Sequence, residues 1–143
     1  MRFIKYVMIA FVLVFAFTTT EMSAKKKMVP SVYMFGFSAS FADSTVYFTD
    51  MQQVDSAWID SKTKFLLGRD NYALQLKNYF ANSLKMKNRT CVVIFGIKRK
   101  DAEKKYNKMK RIYTVKAKNK YDVKYLNASD FKFNCIDMSV EGE

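Results

Sequence analysis

Histidine is absent from this chain of 143 residues. Because histidine is the usual general base near neutral pH and the commonest metal ligand, its absence excludes Ser-His and Cys-His nucleophile arrangements. The two cysteines, Cys91 and Cys135, do not form a C-x-x-C pair and are too few for a four-thiolate zinc site. We therefore expect no catalytic site of these kinds, no metal site and no cofactor.

Proline occurs once, at Pro30, and glycine occurs four times. No linker rich in proline, glycine or serine divides the chain, and no internal repeat is visible. A chain of this length buries one compact core but not two ordinary ones. The sequence predicts a single domain over residues 32–138, preceded by a flexible basic lead-in over 25–31 and followed by a short tail over 139–143.

The amino terminus has the pattern of a signal peptide. Arg2 and Lys5 precede an unbroken apolar run over residues 6–17. This run is too short to cross a bilayer comfortably, since crossing takes about 20 apolar residues. We predict that residues 1–24 are a cleaved signal peptide and that the exported chain is periplasmic or secreted. Retention of this segment as an uncleaved anchor is the alternative.

Acidic residues are scarce: 13 aspartates and glutamates stand against 25 lysines and arginines, which gives a net charge of +12. A field of this sign favours anionic partners. For an exported protein we expect an anionic polysaccharide or a cell-wall polymer rather than nucleic acid. The alternative is that the charge serves solubility and that the partner is an envelope protein. The oligomeric state is left open.

The hydrophobic periodicity predicts an α+β fold. Alternation indicates strands, three- and four-residue spacing indicates helices, and the apolar run 91–95 indicates a central strand covered on both faces. The predicted element order is β-β-α-β-α-β-β, with a hairpin of two strands near 123–125 and 131–135. We expect a two-layer sandwich in which a mixed, mostly antiparallel sheet carries both helices on one face.

A basic helix is predicted from Asp101, acting as the cap, to about Lys116, after the strand in NRTCVVIFGIKRKDAEKKYNKMK. If Ala102 and Tyr106 face inward, most cations of the helix project outward and sum to a field that attracts polyanions. The phosphate-loop pattern G-x-x-x-x-G-K-[ST] is absent. The predicted polyanion-binding residues are Lys98, Arg99, Lys100, Lys104, Lys105, Lys108 and Arg111.

Two further side-chain roles are predicted. Trp58 lies among polar residues and is suited either to stack on a sugar ring or to close the edge of the core. Cys91 and Cys135 both occupy apolar strand positions, and export would expose them to an oxidising compartment. We therefore predict a disulfide between them, on antiparallel neighbouring strands. The alternative is two buried, reduced cysteines.

The segments DSAWIDSKTKFLLGRDNYALQLKNYF, NRTCVVIFGI and AEKKYNKMK resemble small uncharacterised exported proteins of Gram-negative bacteria. A strand leading to a helix that starts near Ala102-Glu103 is also similar to cell-wall-binding SPOR-type domains, although the strand order departs from that family. The first resemblance implies an exported compartment and no activity.

Three functions remain open. The first is a non-enzymatic exported module that binds an anionic envelope or extracellular polymer through the basic helix. The second is a structural or protein-interaction subunit of a cell-envelope assembly. The third is a carboxylate-based hydrolase, because a catalytic carboxylate pair needs only spatial proximity. One basic helix face would favour the first, an exposed apolar patch the second, and a pocket with two carboxylates the third.

The export hypothesis predicts that the mature chain begins between about Thr19 and Lys27. Intact-mass measurement of the exported protein tests this. A protein recovered from the membrane fraction with Met1 still attached would replace cleavage with anchoring.

Overall fold

The structure is a computed structural model that describes residues 25–117 and 120–139. The predicted signal peptide, residues 1–24, lies outside the described residues. None of the helices within the described ranges is long and apolar enough to span a membrane. In chain order the elements are β1 (Lys26–Ala39), β2 (Thr45–Thr49), β3 (Gln52–Asp60), α1 (Arg69–Asn82), β4 (Thr90–Gly96), α2 (Arg99–Arg111), a π-helical turn (Ile112–Lys116) and β5 (Asp122–Leu126).

Strand β1 is the centre of the sheet. It pairs antiparallel with β4 from Tyr33 to Ala39, so both β2 and β3 must lie along its other edge. Strand β5 then pairs with β2 in the parallel direction. The predicted α+β class and the mixed, mostly antiparallel sheet are confirmed. The strand predicted to be central, β4, is instead an edge strand that pairs with β1 alone among the described strands.

The two helices cover opposite faces of this sheet. Val32 and Met34 of β1 belong to the core cluster that includes Tyr72, Leu76 and Phe80 of α1. Neighbouring β1 residues point the other way because side chains alternate along a strand. They belong to a second core cluster on the opposite face of the sheet. This cluster contains Phe35 and Phe37 of β1, together with Tyr106 and Met109 of α2 and Tyr113 of the following turn. The prediction of two layers with both helices on one face is therefore wrong, and the domain has three layers.

The reason for this error lies in the small residues of β1. Gly36 and Ser38 alternate with Phe35 and Phe37, a pattern typical of a strand with one face in solvent, yet both are buried. Leu76 of α1 packs so closely over Gly36 that an added Cβ would lie 2.5 Å from its Cδ2 atom. Small side chains on this face mark close helix packing rather than exposure to water.

A bulge separates β2 from β3. Between the pairs Met34–Gln52 and Phe37–Phe48, the β2–β3 side has one residue more than β1. The Gly36 N–H donates to Thr49 Oγ1 at 2.8 Å instead of to a strand carbonyl, and the Asp50 N–H donates to Leu126 O at 2.9 Å. Such an extra residue redirects the backbone. Here the extra residue directs the Asp50 N–H towards Leu126 at the end of β5.

The predicted last strand, near 131–135, is not formed. Its backbone groups bond to glutamine side chains: Gln52 donates to Phe131 O at 2.9 Å and accepts from Phe133 N at 2.8 Å. Gln75 donates to Asn134 O at 2.8 Å and accepts from Asn134 N at 2.9 Å. These amides satisfy the backbone as a neighbouring strand would. The segment is thereby fixed without joining the sheet, and both phenylalanines are buried.

The predicted flexible lead-in, residues 25–31, is also corrected. Strand β1 begins at Lys26, which pairs with Asp60, because β3 is long enough to provide partners along this stretch. The ladder is interrupted only where Pro30 faces Ser56, a residue with a φ of 57°. A proline without an N–H is tolerated where no ladder bond is required.

Gly96 sets the distance between β4 and α2. A Cβ at this position would lie 2.7 Å from the backbone nitrogen of Ala102, whereas the nearest atom at Gly36 is the end of a leucine side chain. Replacing a glycine by alanine where the Cβ meets open space stabilises a protein. At Gly96 the added Cβ would instead contact the backbone of Ala102 and push α2 away from β4. We expect Gly96→Ala to lower the free energy of unfolding by about 1–3 kcal/mol.

Chemical denaturation of the wild type, Gly96→Ala and Gly36→Ala measures these changes. The Gly36→Ala cost should be reduced in a Leu76→Ala background, whereas no side-chain truncation should reduce the Gly96→Ala cost. An unchanged or raised stability for Gly96→Ala would contradict this packing of α2.

Candidate functional site

Helix α2 begins without a side-chain cap. Lys98 precedes the helix in an extended conformation, and its carbonyl accepts hydrogen bonds from Asp101 and Ala102 at 3.1 and 3.2 Å. The prediction that Asp101 caps the helix is wrong, since Asp101 already lies in the first turn. Its carboxylate interacts favourably with the positive, amino-terminal end of the helix dipole. Lys108, Lys110 and Arg111 interact favourably with the negative, carboxyl-terminal end.

Aromatic packing fixes the rotation of α2 about its axis. Ala102 is fully buried, and Tyr106 meets Phe35 edge to face, with ring centroids 5.0 Å apart. Burial raises the pKa of Tyr106. The Phe48 ring also lies edge to face with Tyr106, at 5.8 Å. With this side of the helix turned to the sheet, the cations three and four residues apart must share the opposite side.

Four of the seven predicted polyanion-binding residues line one shallow surface hollow of about 630 Å³. We call it the basic hollow; its lining is Lys100, Glu103, Lys104, Asn107, Lys108, Arg111 and Lys116. Glu103 is the one carboxylate in this lining, and it is paired with Arg99 at 2.9 Å. The hollow therefore presents five cations and an acid that already has a cationic partner.

The other three predicted residues do not line the hollow. Arg99 pairs with Glu103, and Lys98 lies before the helix. Lys105 donates from Nζ to Phe95 O at 2.9 Å, at the edge of β4. Lys116 was missed by the sequence reasoning. The sequence placed Lys116 at the end of the predicted helix, and this was the one signal that could have included it. The structure shows that the π-helical turn brings Lys116 to the same hollow as Lys108.

The free edge of β4 is covered by cationic side chains. Arg69 of α1 donates from Nε to Val93 O at 2.7 Å, and Lys105 of α2 donates to Phe95 O, two residues further along. Unpaired carbonyls on an edge strand are a template for pairing with another chain. Lys105 thus protects the sheet edge, which explains why it does not contribute to the basic hollow.

Arg89 is the most buried cation of the described part, with 3% of its side chain exposed. It donates to Ser38 Oγ at 2.9 Å and to Thr45 O at 2.6 Å, and it lies 3.5 Å from Asp43. Its guanidinium also lies 4.8 Å from the centre of the Tyr47 ring. These contacts use the guanidinium to join β1, β2 and the turn between them, so Arg89 has a structural role.

Trp58 is half-buried in β3 and is therefore neither a full core residue nor a free platform. Together with Met28, Cys135 and Asp137 it lines a separate hollow of about 430 Å³. Met28 is its partner across the β1–β3 ladder. The stacking role stays a prediction.

The predicted disulfide is corrected, because both cysteines are free. Cys91 lies against Ser38 near the end of β1, with its sulfur 3.6 Å from the Ser38 hydroxyl. Cys135 contacts the carbonyl of Ser56, which faces Pro30 near the start of β1. The two positions are separated by about eight residues of extended strand, on the order of 25 Å. A disulfide needs Cα atoms within about 7 Å.

Clusters of metal ligands and pairs of carboxylates in one hollow would indicate catalytic chemistry, and both can be sought within residues 25–117 and 120–139. No group of three or more metal-ligating side chains occurs in these ranges. Four surface hollows each have one carboxylate in their lining, provided by Asp43, Asp101, Glu103 and Asp137. None of these four hollows is lined by two carboxylates, which is the observation that would favour a carboxylate-based hydrolase.

Comparison with protein-family models, curated proteins and solved structures found no match to this chain. The resemblances to exported proteins and to SPOR-type domains gain no support from these comparisons and stay predictions. Function must therefore be argued from the surface of the domain.

The two free thiols should differ in reactivity. Burial raises the pKa of the Cys91 thiol, whereas Cys135 is exposed. Because the thiolate is the reactive form, we expect a maleimide to label Cys135 rapidly and Cys91 slowly in the native, unreduced protein. Time-resolved mass spectrometry of the wild type and Cys135→Ser separates the two rates. Recovery of unreduced protein with no free thiol would contradict the structure.

Proposed function

We propose that this protein is an exported, non-enzymatic module that binds an anionic polysaccharide or cell-wall polymer through the basic hollow on α2. The observation that carries the proposal is the clustering of Lys100, Lys104, Lys108, Arg111 and Lys116 around one concave surface. A linear polyanion presents charges at regular intervals, and cations one helical turn apart meet several of them at once.

The uneven distribution of charge supports this proposal over simple solubility. Helix α2 carries seven cationic side chains and two carboxylates, whereas α1, of nearly the same length, carries two cations and one carboxylate. Solubility requires net charge but no particular location for it. Concentration of cations on one helix raises the free energy of the unbound protein through repulsion. Such repulsion is relieved when an anion binds.

The exposure of these cations fits weak, salt-sensitive attachment. Lys100, Lys104, Lys108 and Arg111 are all exposed, so their charges act largely through water. At physiological ionic strength, interactions between exposed charges are screened beyond about 8 Å. Binding should therefore depend on many simultaneous contacts along a polymer and not on the identity of one sugar.

A second function, as a protein-interaction subunit, is favoured by a different surface. Ala39, Phe41, Val46, Tyr113 and Tyr121 contribute to a mostly apolar hollow of about 330 Å³ at the β1–β2 turn. Phe41 is fully exposed there. Exposed aromatic groups in a concave site are typical of protein contacts.

The polymer proposal predicts that the protein is retained at low salt on an immobilised anionic polysaccharide and on cell-wall material. Retention should be lost steeply as salt is raised. Lys104→Glu with Lys108→Glu should elute at markedly lower salt than the wild type, because both side chains line the basic hollow.

The matched control is Lys77→Glu with Lys87→Glu, which changes the net charge equally at exposed lysines of α1 and the following loop. The control variant should elute close to the wild type. Failure of the wild type to bind at low salt would refute the proposal. Equal losses for the two variants would assign the retention to net charge alone, which would also refute a role for the basic hollow.

A further inference from the structure

A second candidate surface lies at the end of the sheet where β1 begins. The turn between β3 and α1 places Phe65 on the outside of the molecule, with 62% of the residue exposed. Leu66, the next residue, bridges to Ile59 of β3 and is buried. Since successive side chains of an extended segment point to opposite sides, burial of Leu66 requires Phe65 to point outward.

The turn that carries Phe65 is closely hydrogen-bonded. The Asp60 carboxylate accepts from the backbone N–H groups of Lys62 at 2.8 Å and Thr63 at 3.2 Å. The Asp60 N–H donates to Phe65 O at 2.9 Å, and the Lys64 N–H donates to Asp60 O at 2.8 Å. The backbone bonds from Lys62 and Thr63 lower the pKa of Asp60. The exposed ring is therefore held in place by a defined turn.

Lysines are concentrated in the two segments that meet at this turn. Residues 25–28 and 60–65 contain five lysines and a single carboxylate, Asp60. We call this set the basic tip; its lysines are Lys25, Lys26, Lys27, Lys62 and Lys64. Next to it, Phe65 and Lys64 share a hollow of about 420 Å³ with Ile97, Lys104 and Lys105, and with the carboxylate of Asp101. Ile97 is also a partly exposed apolar side chain, followed directly by Lys98.

The chain preceding β1 joins the domain at this same tip. The backbone carbonyl of Lys25 accepts a hydrogen bond from the Ser61 N–H at 2.8 Å, so the first described residue lies beside the turn that carries Phe65. The 24 residues that precede it include the apolar run 6–17. An apolar segment of this kind has affinity for the acyl region of a bilayer. Where residues 1–24 are retained, which is the alternative to their cleavage, the basic tip is the part of the domain that would meet a membrane surface first.

We propose that the basic tip docks on the surface of an anionic lipid bilayer, with Phe65 entering the headgroup region and the surrounding lysines contacting lipid phosphates. An aromatic ring flanked by lysines fits this environment, because the ring has an apolar body and the lysine stems reach past it to the charged layer. Each lysine near an anionic surface contributes to attraction that falls off within a Debye length. This contact is centred on Phe65 and polymer binding is centred on the basic hollow, although Lys104 lines the hollows beside both surfaces.

Position-specific fluorescence tests the docking in the full chain. Trp58 is the only tryptophan, so Trp58→Phe provides a background without intrinsic signal. On that background Phe65→Trp reports on the tip. Phe41→Trp is the matched control, since Phe41 is also an exposed aromatic residue but lies in the turn after the far end of β1. The probe is a vesicle of phosphatidylcholine with about one-third anionic phosphatidylglycerol, with and without brominated acyl chains.

We expect bromolipid to quench the blue-shifted emission of the Phe65→Trp protein and to leave the emission of the Phe41→Trp protein unquenched. Replacing Lys62 and Lys64 with glutamine should reduce the equilibrium constant for docking by about fivefold for each lysine at low salt. Vesicles of phosphatidylcholine alone should remove the quenching at position 65, even where the chain stays vesicle-bound through residues 6–17.

Three results would overturn the proposal. Absence of quenching at position 65 on anionic vesicles would show that the tip faces water or a protein. Equal quenching at positions 65 and 41 would show non-specific adsorption of the whole domain. Quenching at position 65 that persists unchanged in phosphatidylcholine alone would show that anionic lipid is not the partner. Because Lys104 lines the hollows beside both surfaces, docking is tested with Lys62 and Lys64, neither of which lines the basic hollow.

Discussion

Burial of β1 on both faces is the constraint from which the rest of the domain follows. Phe35 and Phe37 point to one side, and Val32 and Met34 point to the other. A strand that is apolar on both faces needs a covering layer on each side, and the chain supplies one helix for each. The three-layer arrangement then directs the polar side of α2 to solvent, which is how a packing requirement of the core comes to present a basic surface.

Close approach of the helices depends on side chains that look unremarkable in the sequence. Gly36 and Gly96 leave room for Leu76 and Ala102, respectively, so both helices lie tightly on the sheet. The buried guanidinium of Arg89 has carbonyl, hydroxyl and carboxylate partners, which satisfies a group that would otherwise be costly to bury. No buried polar side-chain atom of the described residues lacks a partner. Polar groups therefore join elements of this core instead of weakening it.

The lysines and arginines of this protein have several distinct structural roles, although each contributes the same charge to the net total. Arg89 joins buried strands, Arg69 and Lys105 cover the free edge of β4, and Lys100, Lys104 and Lys108 of α2 are exposed to solvent. Of these groups, only the last is available to an external anion, as are the exposed lysines of the basic tip. Net charge consequently overstates the surface that can bind, and the distinction between structural and free cations rests on hydrogen-bond partners that a sequence does not display.

The sequence by itself determined the α+β class, the periodicity of both helices and the inward side of α2 at Ala102 and Tyr106, because these depend on local spacing of apolar residues. It did not determine the order of strands, the face that each helix covers or the distance between Cys91 and Cys135. Those depend on which distant segments pair. The tertiary structure alone decided that Gln52 and Gln75 would replace a strand partner for residues 131–134, and that Lys105 would bind a carbonyl while Lys116 joined the basic hollow. The physical reason is that a side chain's role follows from its nearest partners in space, and spacing along the chain specifies those partners only within one element.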